Sequence, residues 1–282
     1  MFLHKGVYKV LTTAYHTYMT TPMEETAKEV RRQVLKMIHA AQTSHIGSNF
    51  SCIDILTVIH EIADFSKDKL VYSKGWAAAA AYVFLARRGV IPWEDLDTFC
   101  QPGSKYIGLL ESDVPGIEAP GGSMGYGLPF GVGYALAKKL KGEDGRVFVL
   151  MSDGEQAIGT TWESALLAAH HHLDNLTVIV DYNTFQAMGK VSEVLNIEPL
   201  RAKWEAFGWD VWNIDGHSYE DIKSTLTHPL GHCDLDCLQP LPQVVIAHTT
   251  KGKGVSWMEN KLDWHYKTPS DEDYEKALQE LQ

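Results

Sequence analysis

The most constraining feature of the chain is the segment 146–186, which combines two apolar strands, an acidic turn and a helix. RVFVLM (146–151) is a short, Val-rich run bounded by Gly and charged residues, which is typical of a buried strand. The acidic turn Ser152-Asp153-Gly154-Glu155 follows, then a predicted helix over residues 162–172 and a second strand over 176–181. This order predicts an α/β unit in which two parallel strands end side by side.

Polar residues follow both strands of this unit. Asp153 comes just after the first strand, and Asn183 just after the second. A hard divalent cation prefers oxygen ligands and often keeps phosphate oxygens as partners. We therefore predict a magnesium site formed by the Asp153 carboxylate, the Asn183 amide oxygen and the backbone carbonyl of Phe185. A helix N-terminus expected after Gly154 would suit a diphosphate at the same place. The alternative is an ordinary α/β unit in which both polar residues merely terminate strands.

Asp-Gly followed about thirty residues later by Asn, with a strand before each, resembles the diphosphate and magnesium motif of thiamine diphosphate enzymes. The stretch WESALLAAHHHLDNLTVIVDYN is similar to the transketolase family, in the split form whose first half is a separate chain. The resemblance runs from about residue 23 to residue 273. It implies a thiamin diphosphate-binding fold (PP domain), which is α/β, with a parallel sheet flanked by helices. We expect this domain over residues 23–282, after an N-terminal extension over 1–22.

The resemblance also implies further site residues. HIGSNFS resembles the family's His-x-Gly-Gly-Ser-x-Ser turn, which implies that His45 faces cofactor and substrate. GGSMGYGL resembles Thr-Gly-Ser-Leu-Gly-Gln-Gly-Leu, so Gly122 and Met124 are expected beside the aminopyrimidine. TTKGKG and the later WHY imply that Lys251 lies near the diphosphate and that His265 reaches the cofactor. His45 and His265 are the expected catalytic residues. The central unit completes the expected cofactor-binding set: Asp153, Gly154, Glu155, Asn183 and Phe185.

Several positions depart from the family pattern. Trp76 stands where the family has His, and no His occurs between His60 and His170, so a second substrate-side His is also missing. Because Trp has one N–H donor, no acceptor and a larger side chain, we expect a narrower, less polar channel. Ile158 replaces a Glu of an acidic network that links paired active sites, and Ile cannot carry a proton. Tyr266 replaces the Gly of Trp-His-Gly.

Hydrophobic periodicity and turn residues predict the remaining elements. Residues 44–50 are expected to form a turn. Helices are expected over residues 23–41, 52–63, 73–86, 92–99, 199–207 and 219–227, in the Gly-rich segment ending near 140, and at the C-terminus. Strands are expected over residues 68–73, 209–214 and 243–247. This alternation of strands and helices favours a parallel α/β sheet independently of the family resemblance.

Composition excludes several classes of function. The net charge of −11 argues against non-specific nucleic acid binding, which needs a basic surface. The longest apolar run has 11 residues, too short for a membrane span, and the N-terminus lacks a signal-peptide pattern. The four Cys are scattered, which favours reduced thiols and a cytoplasmic location.

Two His-containing stretches require a separate interpretation. His228, His232, Cys233 and Cys237 have a spacing compatible with zinc, but the stretch is rich in Pro and Gly, which favours an ordinary loop. Residues 170–172 are three consecutive His on a predicted helix. Neighbouring residues there point about 100° apart, so these three cannot share one metal.

The expected function is that of the N-terminal subunit of a transketolase-like enzyme, which moves a two-carbon ketol unit with thiamine diphosphate and Mg²⁺. No segment resembling the family's pyrimidine domain follows the Trp-His motif, so we expect a partner chain that supplies it with its activating Glu. The expected assembly is an α2β2 heterotetramer. Two alternatives remain: a related enzyme that transfers a ketol or acyl unit to a non-sugar or carrier-bound acceptor, and a non-catalytic assembly or regulatory subunit.

Overall fold

The computed structural model describes residues 22–122, 124–228 and 239–282. In these residues the chain forms a five-stranded sheet of order β1-β2-β3-β5-β4, with every neighbouring pair parallel. The strands are β1 Lys69–Tyr72, β2 Val147–Ser152, β3 Leu176–Tyr182, β4 Asp210–Asp215 and β5 Gln243–His248. The predicted parallel α/β sheet is confirmed.

Helices flank the sheet close to the predicted positions. The long ones are α1 Met23–Ala41, α3 Ile53–Ile62, α4 Ala78–Arg87, α5 Gly127–Lys141, α6 Gly159–His170, α9 Tyr219–Thr227 and α10 Asp271–Glu280. The short ones are α2 Ile46–Ser51, α7 Val191–Val194 and α8 Leu200–Ala206. Four 3-10 helices span Gly75–Ala77, Trp93–Thr98, Asp153–Ala157 and Leu262–His265.

One local prediction is wrong. The segment 44–50 was expected to be a turn, but most of it belongs to α2. His45 adopts a left-handed conformation (φ 73°) at the N-cap and reverses the chain, and every residue of the helix is buried. Burial against the neighbouring elements stabilises a six-residue helix that would be marginal by itself.

The sheet is buried on both faces, which explains the continuous apolar strand β2. Phe148 and Leu150 belong to the apolar layer that contains α1, α3 and α4. Val147, Val149 and Met151 point the other way, into the layer formed with α5, α6 and α8. A strand with two buried faces needs apolar residues at successive positions, as in other parallel sheets.

Two predicted regions fall largely outside the described residues. Residues 1–21 of the expected N-terminal extension and three members of the possible zinc cluster, His232, Cys233 and Cys237, belong to them. Those two interpretations stay predictions. Within residues 22–122, 124–228 and 239–282, no helix combines the length and the apolar character needed to cross a membrane.

Candidate functional site

The candidate site is a cavity at the carboxyl edge of the sheet, where the loops that follow parallel strands converge. Its volume is about 500 Å³, and its wall is formed by α2, the Leu262–His265 turn and the segments after β1, β2 and β3. Eight of the ten predicted site residues line it: His45, Met124, Asp153, Gly154, Glu155, Asn183, Phe185 and His265. Of the other two, Gly122 is exposed next to the lining residue Gly121, and Lys251 is buried just behind the wall.

The three predicted metal ligands lie together on the acidic side of the cavity. The buried Asp153 carboxylate accepts a hydrogen bond from the Thr184 N–H at 2.6 Å. The amide oxygen of Asn183 accepts one from the Phe185 N–H at 3.1 Å. Burial and the nearby Asp181 carboxylate raise the pKa of Asp153 to about 7. This set of oxygen atoms, with a carboxylate made unfavourable by burial, is suited to a hard cation.

The expected α-helix N-terminus directly after Gly154 is absent. Asp153–Ala157 forms a 3-10 helix instead, and α6 begins only at Gly159. The cause is a capping box, in which the Glu155 carboxylate accepts the Ser152 N–H at 2.7 Å and tightens the turn. Gly154 is needed here because a Cβ would lie only 3.0 Å from the Met124 side chain.

Glu155 is a cross-link of the cavity wall. Its fully buried carboxylate accepts hydrogen bonds from the Ser73 hydroxyl after β1, from the Gly125 N–H at 3.1 Å and from Ser152. Three separate segments are therefore tied to one side chain. Burial raises the pKa of this carboxyl. The sequence placed Glu155 at the site, and the structure adds that most of its hydrogen-bonding capacity is already used within the protein.

Lys251 and His265 form the basic side of the site. The buried Lys251 ammonium donates to His265 Nδ1 at 3.0 Å and to the Ser48 hydroxyl at 3.2 Å. An ammonium group can only donate, so Nδ1 of His265 is the acceptor and Nε2 carries the proton of the neutral ring. Burial and nearby lysines lower the pKa of His265 to about 3, and burial and Lys74 lower that of Lys251 to about 8.

A buried ion pair at the base of the cavity was missed by the sequence analysis. Lys74, just after β1, donates to the Asp181 carboxylate in β3 and also to the Ser48 carbonyl at 2.8 Å and the Ser51 hydroxyl at 3.0 Å. The three ammonium hydrogens thus have three acceptors within the protein. Two opposite charges at the ends of otherwise apolar strands were the available signal. Strand order was needed to interpret it.

The cavity mouth is aromatic. Trp76 stacks on His45 with ring centroids 4.1 Å apart and planes 9° apart, and it is 41% exposed. His265 meets the edge of His45 at 4.8 Å, and Tyr266 lies 5.7 Å from it. Trp76 therefore lies on the cavity wall rather than in the helix packing. Burial, Lys251 and Lys74 lower the pKa of His45 to about 4, so its ring is neutral at pH 7.

Ile158, which replaces an acidic residue of the family pattern, lies outside the cavity lining. It packs on the loop before α5, where a Cβ on Gly125 would lie 2.5 Å from its side chain. Its surroundings are explained by packing alone.

The charges of the site fit a magnesium diphosphate group. In the part of the chain that the structure describes, Asp153 forms no ion pair with a cation and Lys251 none with a carboxylate, although both are buried. Buried charges without partners are costly. A cation at Asp153 and an anion at Lys251 would compensate both, and Lys251 retains one N–H for this purpose.

The sequence has close relatives among the chains of two-chain transketolases. Residues 23–281 match the family described as transketolase, thiamine diphosphate binding domain. The chain is 37% identical over 268 residues to one of the named subunits of apulose-4-phosphate transketolase from Phocaeicola vulgatus, covering 92% of this chain and 93% of that one. It is 32% identical over 270 residues to a 6-deoxy-6-sulfo-D-fructose transketolase subunit of a Clostridium species, covering 92% and 96%.

Solved structures give the same result for the fold. A transketolase from Campylobacter jejuni superposes with a TM-score of 0.84 at 29% identity, over 92% of this chain but only 42% of its own length. The chain thus spans less than half of that transketolase. Together, the matching domain family, the related subunits and the shared fold show that this chain belongs to the transketolase family and comprises its thiamine diphosphate-binding domain.

Proposed function

We propose that this chain is the diphosphate-binding subunit of a two-chain transketolase that transfers a two-carbon ketol unit with thiamine diphosphate and Mg²⁺. One observation carries the proposal: a buried carboxylate, Asp153, and a buried ammonium, Lys251, belong to one site, and neither has an ion-pair partner among the described residues. Such a pair is costly in the empty protein and is compensated by a bound cation and anion.

The roles of the residues follow from their chemistry. Asp153, Asn183 and the Phe185 carbonyl would hold Mg²⁺ through oxygen atoms. Lys251 would donate its remaining N–H to a diphosphate oxygen. The cofactor, when bound, supplies the carbanion stabilisation that ketol transfer needs. His265 presents a protonated Nε2 as a donor, and the neutral His45 ring can exchange a proton without burying a charge.

The partner chain belongs to the same proposal. Relatives of this chain are named as single, lettered subunits of apulose-4-phosphate transketolases, which implies a second subunit in those enzymes. We place the pyrimidine-binding domain and its activating Glu on the partner of this chain, in an α2β2 assembly. Glu155 is unsuited to that activating role because hydrogen bonds from three segments occupy it. A cytoplasmic location completes the proposal and is supported by the scattered cysteines.

Calorimetric titration of thiamine diphosphate with Mg²⁺ into the assembled two-chain complex tests the proposal. Asp153→Ala removes the one charged metal ligand and should weaken binding at least 100-fold, or about 2.7 kcal/mol. Asp97→Ala is the matched control, because Asp97 is an exposed carboxylate paired with Lys36 far from the cavity. Unchanged magnesium-dependent binding by Asp153→Ala would refute the metal assignment. A wild-type complex that binds no cofactor would favour the non-catalytic alternative.

The aromatic mouth supports a second, finer proposal about the donor. Two relatives carry different substrate names, apulose 4-phosphate and 6-deoxy-6-sulfo-D-fructose. Trp76 covers the face of His45 and offers one N–H where a family member has an imidazole. A donor's hydroxyl left without a partner costs about 1–3 kcal/mol. We therefore expect common five- and six-carbon sugar phosphates to be poor donors, which leaves a donor or acceptor of another kind.

Steady-state kinetics of the assembled enzyme with xylulose 5-phosphate checks this second proposal. Trp76→His should raise kcat/KM by roughly 10-fold or more, and Trp93→His, a change at another exposed Trp, should leave it unchanged. A wild-type kcat/KM of about 10⁴ M⁻¹s⁻¹ or above with this donor would contradict the expected effect of Trp76.

A further inference from the structure

His217 lies outside the cavity lining and has no place in the chemistry described above. It follows β4, and both of its ring nitrogens are engaged. Nδ1 lies 2.7 Å from the Asp54 carboxylate, and Nε2 accepts the backbone N–H of Thr250 at 2.8 Å. Because a backbone N–H can only donate, Nε2 must be unprotonated and Nδ1 must carry the proton. The two bonds require one tautomer of the neutral ring.

The same Asp54 carboxylate holds a second arm. Arg31 donates to both of its oxygens, at 2.9 Å and 2.7 Å, in a buried bidentate pair. The Arg31 Nε atom then donates to the carbonyl of Lys253 at 3.0 Å. Tyr219 donates its hydroxyl to Asp54 at 2.8 Å and completes the surroundings of the carboxylate. Asp54 is therefore a fixed anchor on α3.

The two arms grip the chain on either side of Lys251. His217 holds Thr250, the preceding residue, and Arg31 holds Lys253, two residues later. The Lys251 ammonium has no carboxylate to fix it among the described residues, so the position of its backbone determines where the charge lies. A shift of this segment would move Nζ away from His265 Nδ1, which is 3.0 Å away.

We infer that His217, anchored by Asp54, is a positioning residue that sets Lys251 and, through it, the orientation and tautomer of His265 at the cavity wall. Its consequence for cofactor binding rests on the proposed function, but its effect on His265 does not. His217 acts through one backbone hydrogen bond, so a side chain that keeps both an acceptor and a donor should replace it. A ring of similar shape without nitrogen should not.

Three variants of the full chain separate these cases. His217→Phe removes both hydrogen bonds, and His217→Gln can donate to Asp54 and accept from Thr250. His39→Phe is the matched control, because His39 is a partly exposed His on α1 whose Nε2 meets only Asp271. Nitrogen NMR of ¹⁵N-histidine-labelled protein reports the tautomer of each ring, with His265 and His217 assigned through His265→Gln and His217→Gln.

In the wild type, His217 should be protonated at Nδ1 and His265 at Nε2. The His265 signal should shift to a mixture of tautomers in His217→Phe, return in His217→Gln and stay unchanged in His39→Phe. A folded His217→Phe protein with an unchanged His265 signal would overturn the inference. The wild-type spectrum provides a test even if His217→Phe fails to fold, because a His217 ring protonated at Nε2 cannot accept the Thr250 N–H.

Cofactor affinity of the assembled complex gives a second readout. Thiamine diphosphate with Mg²⁺ should bind about tenfold more weakly to His217→Phe than to the wild type, the equivalent of one hydrogen bond, with recovery in His217→Gln. Unchanged affinity in His217→Phe together with a changed His265 signal would overturn the link from Lys251 to the cofactor. If wild-type complex bound no cofactor while His265 responded as expected, the proposed function would fail and the positioning role would stand.

Discussion

Lys74→Met should destabilise the chain by about 3–5 kcal/mol near pH 7.5, as expected when one partner of a buried ion pair is removed. The Lys74 and Asp181 side chains are 6% and 0% exposed. Methionine preserves an unbranched chain of similar length, so little packing is lost. It leaves the Asp181 carboxylate buried, with only the hydroxyls of Ser51 and Thr249 as close donors among the described residues.

The destabilisation should depend on pH. Burial by itself would raise the pKa of Asp181, but Lys74 more than offsets this, so the carboxyl titrates below its usual value. In the wild type its stabilising contribution is therefore present above the unfolded-state pKa and is lost as pH falls. Without Lys74, burial should raise the pKa of Asp181, and ionising it would weaken the fold as pH rises. The difference between variant and wild type should grow from pH 5 to pH 7.5.

Thermal and urea unfolding at both pH values measure the effect. At roughly 2.1 cal/mol/K of unfolding entropy per residue, a chain of 282 residues should lose about 5–8 °C of Tm. Lys36→Met is the control: its pair with Asp97 has the same chemistry but is 52% and 65% exposed, so it should cost less than about 1 kcal/mol. Equal losses in the two variants, or a loss at Lys74 that does not change with pH, would refute the reasoning.

Two further outcomes are expected. Gly75→Ala should destabilise by more than about 3 kcal/mol in urea unfolding, because its Cβ would lie 2.0 Å from the Gly121 carbonyl oxygen, whereas Gly133→Ala, with open space around it on α5, should stabilise by about 0.5–1 kcal/mol; similar results at both sites would contradict this. His45 titrates at about 4 when folded, so it lowers stability as pH falls from about 6.5 to 4, and His45→Gln should show a weaker acid dependence than the wild type; an identical pH slope would exclude this contribution.

The fold was predictable because its signals are local. The Val-rich run of β2 and the helical spacing in α1 report burial directly, and the structure has α1 at the predicted residues Met23–Ala41. Parallel strands also guarantee that the residues after them meet, which is why Asp153 and Asn183 could be paired from sequence. The α2 helix was missed because six residues provide too little periodicity.

The sequence alone therefore determined the α/β class, the family and most residue types of the cavity wall, since strand order and short motifs are written along the chain. Only the tertiary structure decided how those residues are connected. Lys74 meets Asp181 across 107 positions of sequence, and His217 meets Asp54 across 163. Such pairs depend on which strands are neighbours and which way loops turn, and a buried charge has a stable position only once a distant partner has been folded against it.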